Sequence, residues 1–440
     1  MGRHDVLTVV ELAESVRTHL LDLLAIGARV LAELGGRIRQ EDIIELVPLV
    51  AVERPAVVVR DGDDVGSVFV LTHEATVATA LPPNNFGKHP VPSRYLPSMQ
   101  IRQLTQATIT ETEAVALARL RTAVDPRRLR SDPVVSRQAA IDELRGSNAS
   151  YGFRYSALFD GDTMVGLAET QGALNGENTD ACEVGIWVDP TYCDPDLPDY
   201  QWHHQLFEHI DAYERSIGRT RYWGWGDLDD PVTRGFWEGE LGYTLAYDER
   251  ISRCTLADVD AALMQQWIDR AADRANGYHL VAASAPFDDD VIELFAQGLE
   301  AMNDAPLDDI VQEHESFDAE RARDVEDLYL STPSIYRAIF AVETATGELG
   351  GYSAIRIPRA DPSLTKQADT VTVNAHRNKG IGRWMKAEMW AWLRAEHPEV
   401  ISLDTGNAES NTAMLAINEA MGFRDVLHHG VWHKLPATDD

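Results

Sequence analysis

Positive charge is what this sequence has least of. Its 440 residues carry 39 lysines and arginines against 71 aspartates and glutamates, a formal net charge of −32. That balance repels polyanions, which excludes nucleic acid and an anionic membrane surface as main partners. A neutral or cationic small molecule fits the charge, as does an acidic surface kept for solubility. Lysine is rarest, at positions 88, 366, 379, 386 and 434 only. Cysteine is nearly absent: Cys182, Cys193 and Cys254 form no CxxC pair and are odd in number, so neither a disulfide framework nor a metal site is expected. No run of 18 apolar residues occurs and the first residues lack a signal-peptide pattern, so a cytoplasmic location without membrane association is expected. No motif speaks to oligomeric state.

What is present is an ordinary globular composition, 44% hydrophobic and 25% charged, in a chain long enough for two or three domains. Residues 11–35 place Leu12, Val16, Leu20, Leu23, Val30 and Leu34 at helical spacing. "PAVVV" (55–59) and "VGSVFVLT" (65–72) predict a hairpin. "LPPNNFGKHPVPSRYLP" (81–97) carries five prolines and predicts a linker. Residues 1–80 are therefore expected to form a small α/β extension, whose role no motif indicates.

Beyond the linker the chain repeats itself. "MQIRQLTQATITETEAVALARL" (99–120) and "YHLVAASAPFDDDVIELFAQGL" (278–299) both have the form strand, loop, helix. The hairpins "YSALFDGDTMVGLAET" (155–170) and "YRAIFAVETATGELGGYSAI" (336–355) correspond, with Gly166 and Gly350 184 apart. "EVGIWVDP" (183–190) aligns with "ADTVTVNA" (368–375), and "FWEGELGYT" (236–244) with "AINEAMGFR" (416–424), where Gly242 and Gly422 are 180 apart. Each half reads β-α-(α)-β-β-β-α-β-α-β, which predicts a mixed α/β fold with a central sheet. The halves run over 98–256 and 257–440.

Only the second half has a glycine loop. A strand over 369–373, then "RNKGIG" (377–382), then a helix over 381–395 places free N–H groups at a helix N-terminus. Such an arrangement suits a diphosphate. No Lys-Ser/Thr follows the last glycine, and the third glycine of a dinucleotide fingerprint is missing. On spacing alone the loop also fits a solvent-exposed turn. The first half has "TYCDPDLPDYQW" (191–202) there instead, with Cys193 in place of the arginine and three aspartates that would repel a diphosphate. A structural or substrate-shaping role is expected of that half.

The loop, followed some thirty residues later by "NAESNTAMLAINEAMGF" (407–423), resembles the GNAT superfamily of acyl-CoA N-acyltransferases, and the two halves together resemble its tandem architecture. Arg377, Gly380 and Gly382 match the loop pattern, and Asn411 with Gly422-Phe423 match the second signature. The resemblance implies acetyl-CoA as co-substrate, held by Arg377, Asn378, Lys379, Gly380, Ile381, Gly382, Arg383 and Asn411, with no metal. It implies transfer of the acetyl group to a small-molecule amine, in specialised metabolism or self-resistance by analogy. An amide of the fourth strand, Thr372 or Val373, would polarise the thioester carbonyl. Asp369, the only acid on that strand, is the first candidate base, Asp404 the second and Glu409 a weaker third. Where the family commonly has a tyrosine to protonate the thiolate stands Asn418. An amide cannot supply that proton, so a catalytically silent acyl-CoA or metabolite sensor is the alternative. His376 is expected to pack at the loop edge, and Trp384, Trp390 and Trp392 to face the core.

Overall fold

Why the chain doubles back on itself twice is visible in its glycines and caps. Asp160-Gly161 turns one hairpin with Gly161 at φ 58°, and Gly347, at φ 78°, turns its counterpart. The paired landmarks Gly242 and Gly422 both take positive φ, 67° and 106°. There a Cβ would crowd the carbonyl, and Gly422 so ends a helix.

The computed structural model describes residues 57–59, 69–71, 99–129, 132–193, 200–362 and 364–434. The expected helix over 11–35 and the linker over 81–97 lie outside them. In the N-terminal unit, which ends at Tyr95, β1 (Val57–Val59) and β2 (Phe69–Leu71) pair antiparallel, Val58 opposite Val70.

The second unit, Leu96–Asp440, holds both repeats. The first runs β3 (Met99–Leu104), α1 (Glu111–Val124), α2 (Arg137–Asp142), β4 (Tyr151–Asp160), β5 (Thr163–Ala173), β6 (Ala181–Val188), α3 (Gln201–Ser216), β7 (Arg221–Asp227), α4 (Pro231–Arg234) and β8 (Thr244–Thr255). A helix α5 (Ala261–Arg274) then leads into the second: β9 (Tyr278–Ser284), α6 (Asp289–Ala301), α7 (Ala319–Leu330), β10 (Ser334–Glu343), β11 (Leu349–Pro358), β12 (Leu364–Thr372), α8 (Ile381–Glu396), β13 (Ser402–Ala408), α9 (Thr412–Met421) and β14 (Arg424–His433). Both follow the element order that the sequence predicts.

The β12 strand starts earlier than the expected 369. Its first inward-facing residues are polar, Thr365 and Gln367, both buried, so no hydrophobic alternation announces them.

All twelve strands of this unit form one sheet, in the order β3-β4-β5-β6-β7-β14-β8-β13-β12-β11-β10-β9. The repeats exchange their last strands: β8 pairs with β13, and β14 pairs with β7. At the centre β8 and β14 run antiparallel, from Arg253 opposite Arg424 to Thr244 opposite His433. Neither repeat completes its own sheet.

The second repeat buries both faces of its strands. One side packs Ile339, Ala341, Ile355 and Ile357 under α5 and α8. The other packs Tyr336, Ala338, Phe340, Tyr352 and Ala354 under α6 and α7. These alternate along β10 and β11 as a pleated strand requires. The three cysteines are buried and are joined by no disulfide.

Candidate functional site

Two irregularities in β12 create the site. The first is where it leaves its neighbour. β12 and β13 run parallel only from Leu364 beside Ser402 to Lys366 beside Asp404. Beyond that, residues 367–372 and 405–408 part, and a gap opens toward the glycine loop. In the first repeat β6 and β7 stay paired through Gly185 and Trp225, which leaves only three residues of β6 beyond the pairing.

The second irregularity is a bulge. Ser353 lies opposite Thr370 but Ile355 opposite Gln367, so Ala354 faces both Ala368 and Asp369. Bulges bend a strand and re-aim its side chains. The Gln367 side chain repairs the ladder by donating from Nε2 to the Ala354 carbonyl at 2.6 Å. The equivalent β5–β6 pairing runs from Gly166–Val188 to Gln171–Glu183 without a register shift.

Asp369, at the bulge, is half-buried and lines a cavity of about 360 Å³ between the repeats. Burial raises its pKa, and the hydrogen bond that its Oδ2 accepts from the Tyr352 hydroxyl at 2.6 Å only partly offsets this. A carboxyl so placed is easily protonated and poorly solvated, as suits a group that accepts a proton.

Asp404 is placed differently. It is third in β13, near the strand's start and away from its C-terminal end. It is buried and gripped in bidentate fashion by Arg253, Nε to Oδ1 at 2.6 Å and Nη2 to Oδ2 at 2.8 Å. Arg253 also holds Asp132 of the first repeat. A carboxylate so neutralised is a poor base and a good clamp. Asp404→Asn is therefore expected to destabilise the fold by roughly 3 kcal/mol, the low end for breaking a buried pair because Asp132 remains. Urea denaturation of the variant checks this; an unchanged midpoint would show that the clamp contributes nothing. Glu409 is likewise taken, by Arg250 at 2.7 Å from both oxygens.

The glycine loop is braced from below. Lys379 donates to the Tyr278 hydroxyl, which also hydrogen-bonds His376 Nδ1 at 2.6 Å. His376 is buried at the loop edge. Arg274 donates to the Asn378 carbonyl at 3.1 Å, and Asn378 itself takes φ 67°. Gly380, at φ 82°, starts α8 with no side-chain cap. The first-turn amides, those of Ile381, Gly382 and Arg383, thus lack an intrahelical partner and carry the positive end of the helix dipole. The Ile381 side chain is buried in the core, and Arg383 is exposed with its guanidinium 5.5 Å from the Trp267 ring. Arg377, also exposed, donates to the Thr372 carbonyl at 3.2 Å. Lys386, the other lysine near the loop, packs inward, 5.9 Å from the Phe423 ring. It is 2% exposed under α8, and burial pushes its ammonium down to about 7. Trp384, Trp390 and Trp392 pack on the core.

Of the two amides expected to meet a thioester carbonyl, Val373 is spent: its N–H donates to the Gly350 carbonyl at 3.0 Å. Alternation along an antiparallel pair then turns the N–H of Thr372 away from β11, toward the gap. Asn418 is 1% exposed; its Nδ2 donates to Asn407 Oδ1 at 2.7 Å, and its Oδ1 is buried without a partner. Asn407 lies on the parted end of β13. Asn411 caps α9, its Oδ1 accepting from Met414 at 3.3 Å. The structure thus gathers the loop, Thr372 and Asp369 around β12, and places Asp404 on a different cavity. Tyr352, Gln367, Arg274 and Tyr278 escape sequence reasoning because cross-strand and cross-helix neighbours give them their roles. Among the described residues no group of three His, Cys, Asp or Glu is placed to hold a metal, and no helix is long and apolar enough to cross a membrane.

No family model matches the sequence, and no curated protein does. Solved structures do match. A tandem GNAT protein from the clavulanic acid biosynthesis pathway superposes with TM-score 0.59 at 20% identity, over 77% of this chain and 99% of its own. A GCN5-related N-acetyltransferase from Sphaerobacter thermophilus does so with TM-score 0.54 at 15% identity, over 77% and 96%. The chain has the tandem GNAT fold. At these identities the likeness concerns the fold. Within this tandem GNAT chain, the parted strands and bulge at β12 occupy the repeat that retains the glycine loop.

Proposed function

We propose that this tandem GNAT chain is an N-acyltransferase that moves an acetyl group from acetyl-CoA to the amine of a small molecule. The observation that carries this is the gap between β12 and β13, with the uncapped amides of α8 at its mouth and Asp369 on its bulged wall. The residues present fit coenzyme A. Bare first-turn amides match a diphosphate, and Arg377 and Lys379 add charge. When bound, the thioester supplies an activated acyl carbon.

The chain's own residues do the rest. Thr372 N–H donates to the thioester oxygen as charge builds there. Asp369 accepts one proton of the incoming ammonium, leaving the neutral amine to attack, and the second proton that the nitrogen sheds as the amide forms passes through water to the departing thiolate. The new N–C bond replaces the C–S bond. The first repeat shapes the acceptor cavity, which its Phe153, Gln171, Glu183 and Trp223 line together with Asp369.

Calorimetry on the intact chain is expected to find one acetyl-CoA per chain; two would place a second site in the first repeat, and none would sink the reading. Thiol release with a panel of amines separates an enzyme from a silent acyl-CoA sensor. The sensor reading draws on Asn418, which offers no proton where the thiolate would leave. Bound acetyl-CoA without release for any amine would favour it.

A further inference from the structure

The cavity that Asp369 lines shares Arg145, Phe153, Gln171 and Glu183 with a larger one of about 560 Å³. Into this second cavity projects Arg356 of β11, the residue opposite Lys366 of β12. Among the described residues no carboxylate lies within ion-pair distance of its guanidinium, and its Nε is buried without a hydrogen-bond partner. Arg145, on the facing repeat, makes no ion pair with a described residue either and rests 5.8 Å from the Phe153 ring. Most carboxylates of this cavity are held by other arginines: Glu143 by Arg121 and Arg127, Asp125 by Arg127, Asp404 and Asp132 by Arg253, with Glu169 3.7 Å from Arg121 and Arg127. Glu183, shared by both cavities, accepts from Gln171 at 2.9 Å, and burial and the nearby Glu169 push its pKa up to about 7. Burial and the like charge of Arg145 push the Arg356 pKa down to about 10. Two guanidinium groups without a direct ion pair on the wall of one cavity cost stability and are relieved by an anion.

Position adds the second half of the argument. Asp369 lies opposite Ala354, on the same face of the sheet as Tyr352 and Arg356. Arg356 is therefore two residues along β11 from the proton acceptor, about 7 Å at the usual strand rise. An anion at the arginines and an amine at Asp369 would be a few bonds apart. Resting on the acyltransferase reading, we infer that the acceptor is an amine that also carries a carboxylate, held by Arg356 and Arg145 while Asp369 deprotonates the amine. A planar carboxylate suits the guanidinium fork, which takes it in bidentate fashion.

The test uses the full chain and matched pairs of acceptors: amino acids and their primary amides, with aminoalkylphosphonates as a third arm. Binding is read by calorimetry in the presence of coenzyme A, and turnover by thiol release. The acid member is expected to exceed its amide by about 10²-fold in both affinity and kcat/KM, and Arg356→Gln is expected to abolish that preference while leaving coenzyme A affinity unchanged. Because the arginine is unpaired, Arg356→Gln is expected to keep or raise the melting temperature, which a structural arginine would not. Equal affinity for acid and amide, an unaltered preference in Arg356→Gln, or a preference for the phosphonate would overturn the inference. Selective binding of the acid without thiol release would support carboxylate recognition and count against the acyltransferase reading alone.

Discussion

Gly380→Val is expected to weaken acetyl-CoA binding by roughly 10²-fold or more, about 3 kcal/mol, which is what loss of one or two charge-assisted amide contacts amounts to. The cause is the backbone. Gly380 holds φ 82°, and a Cβ placed there meets nothing nearer than Arg274 at 4.0 Å. The protein itself leaves room for a side chain, so the effect within the chain is conformational: a branched residue does not hold this φ. The loop shifts and the first-turn amides of α8 turn from their common focus. The strain also costs stability, about 1–2 kcal/mol. Gly382→Ala is the control. Its Cβ would point back to Thr372 Oγ1 at 3.5 Å, an ordinary contact, so the variant is expected to gain about 0.5–1 kcal/mol of helix stability with little change in affinity. Isothermal calorimetry and melting curves on both variants decide it. Unchanged affinity in Gly380→Val beside a large fall in melting temperature would mean that the loop is a structural turn and no cradle.

Asp369→Asn is expected to lower turnover by roughly 10²-fold or more, the scale of a lost general base, with coenzyme A affinity retained. Its stability effect has the opposite sign. Burial raises the Asp369 pKa above its unfolded value, so the folded chain binds this proton more tightly than the unfolded chain does. Stability is therefore lost as pH rises from the ordinary carboxylate range near 4 through the folded pKa, and stays lost above it. Asparagine resembles the protonated form. The variant should melt higher than the parent at neutral pH, and the difference should close as pH falls below about 4. A variant that keeps full activity removes Asp369 from the mechanism; one that melts lower at neutral pH shows that the charged carboxylate is stabilising.

Asp404 illustrates how far residue type alone carries an assignment. As an acid on the strand after the glycine loop it matches a base in sequence, yet Arg253, 151 residues earlier, neutralises it. That arginine stands on β8, the strand which the first repeat lends to the second. No periodicity within either repeat foretells the exchange, because the pairing of β8 with β13 instead of β7 depends on which edges meet. Thr372 and Val373 are equivalent in sequence for the same reason: one register, with Val373 bonded to Gly350, distinguishes them.

Local chemistry was enough for the rest. Glycines at positive φ, the caps, the two-fold repeat and the element order are read directly from residues, since each depends on neighbours within a few positions or on an offset of about 180. The loop at 377–382, its free amides and the acidic replacement in the first repeat belong to this class. Tertiary structure alone decided the parting of β12 from β13, the bulge that aims Asp369, the burial of Lys386 and the unpaired Arg356. Each of these turns on residues far apart in sequence sharing one low-dielectric space, where a charge is set by what stands opposite it.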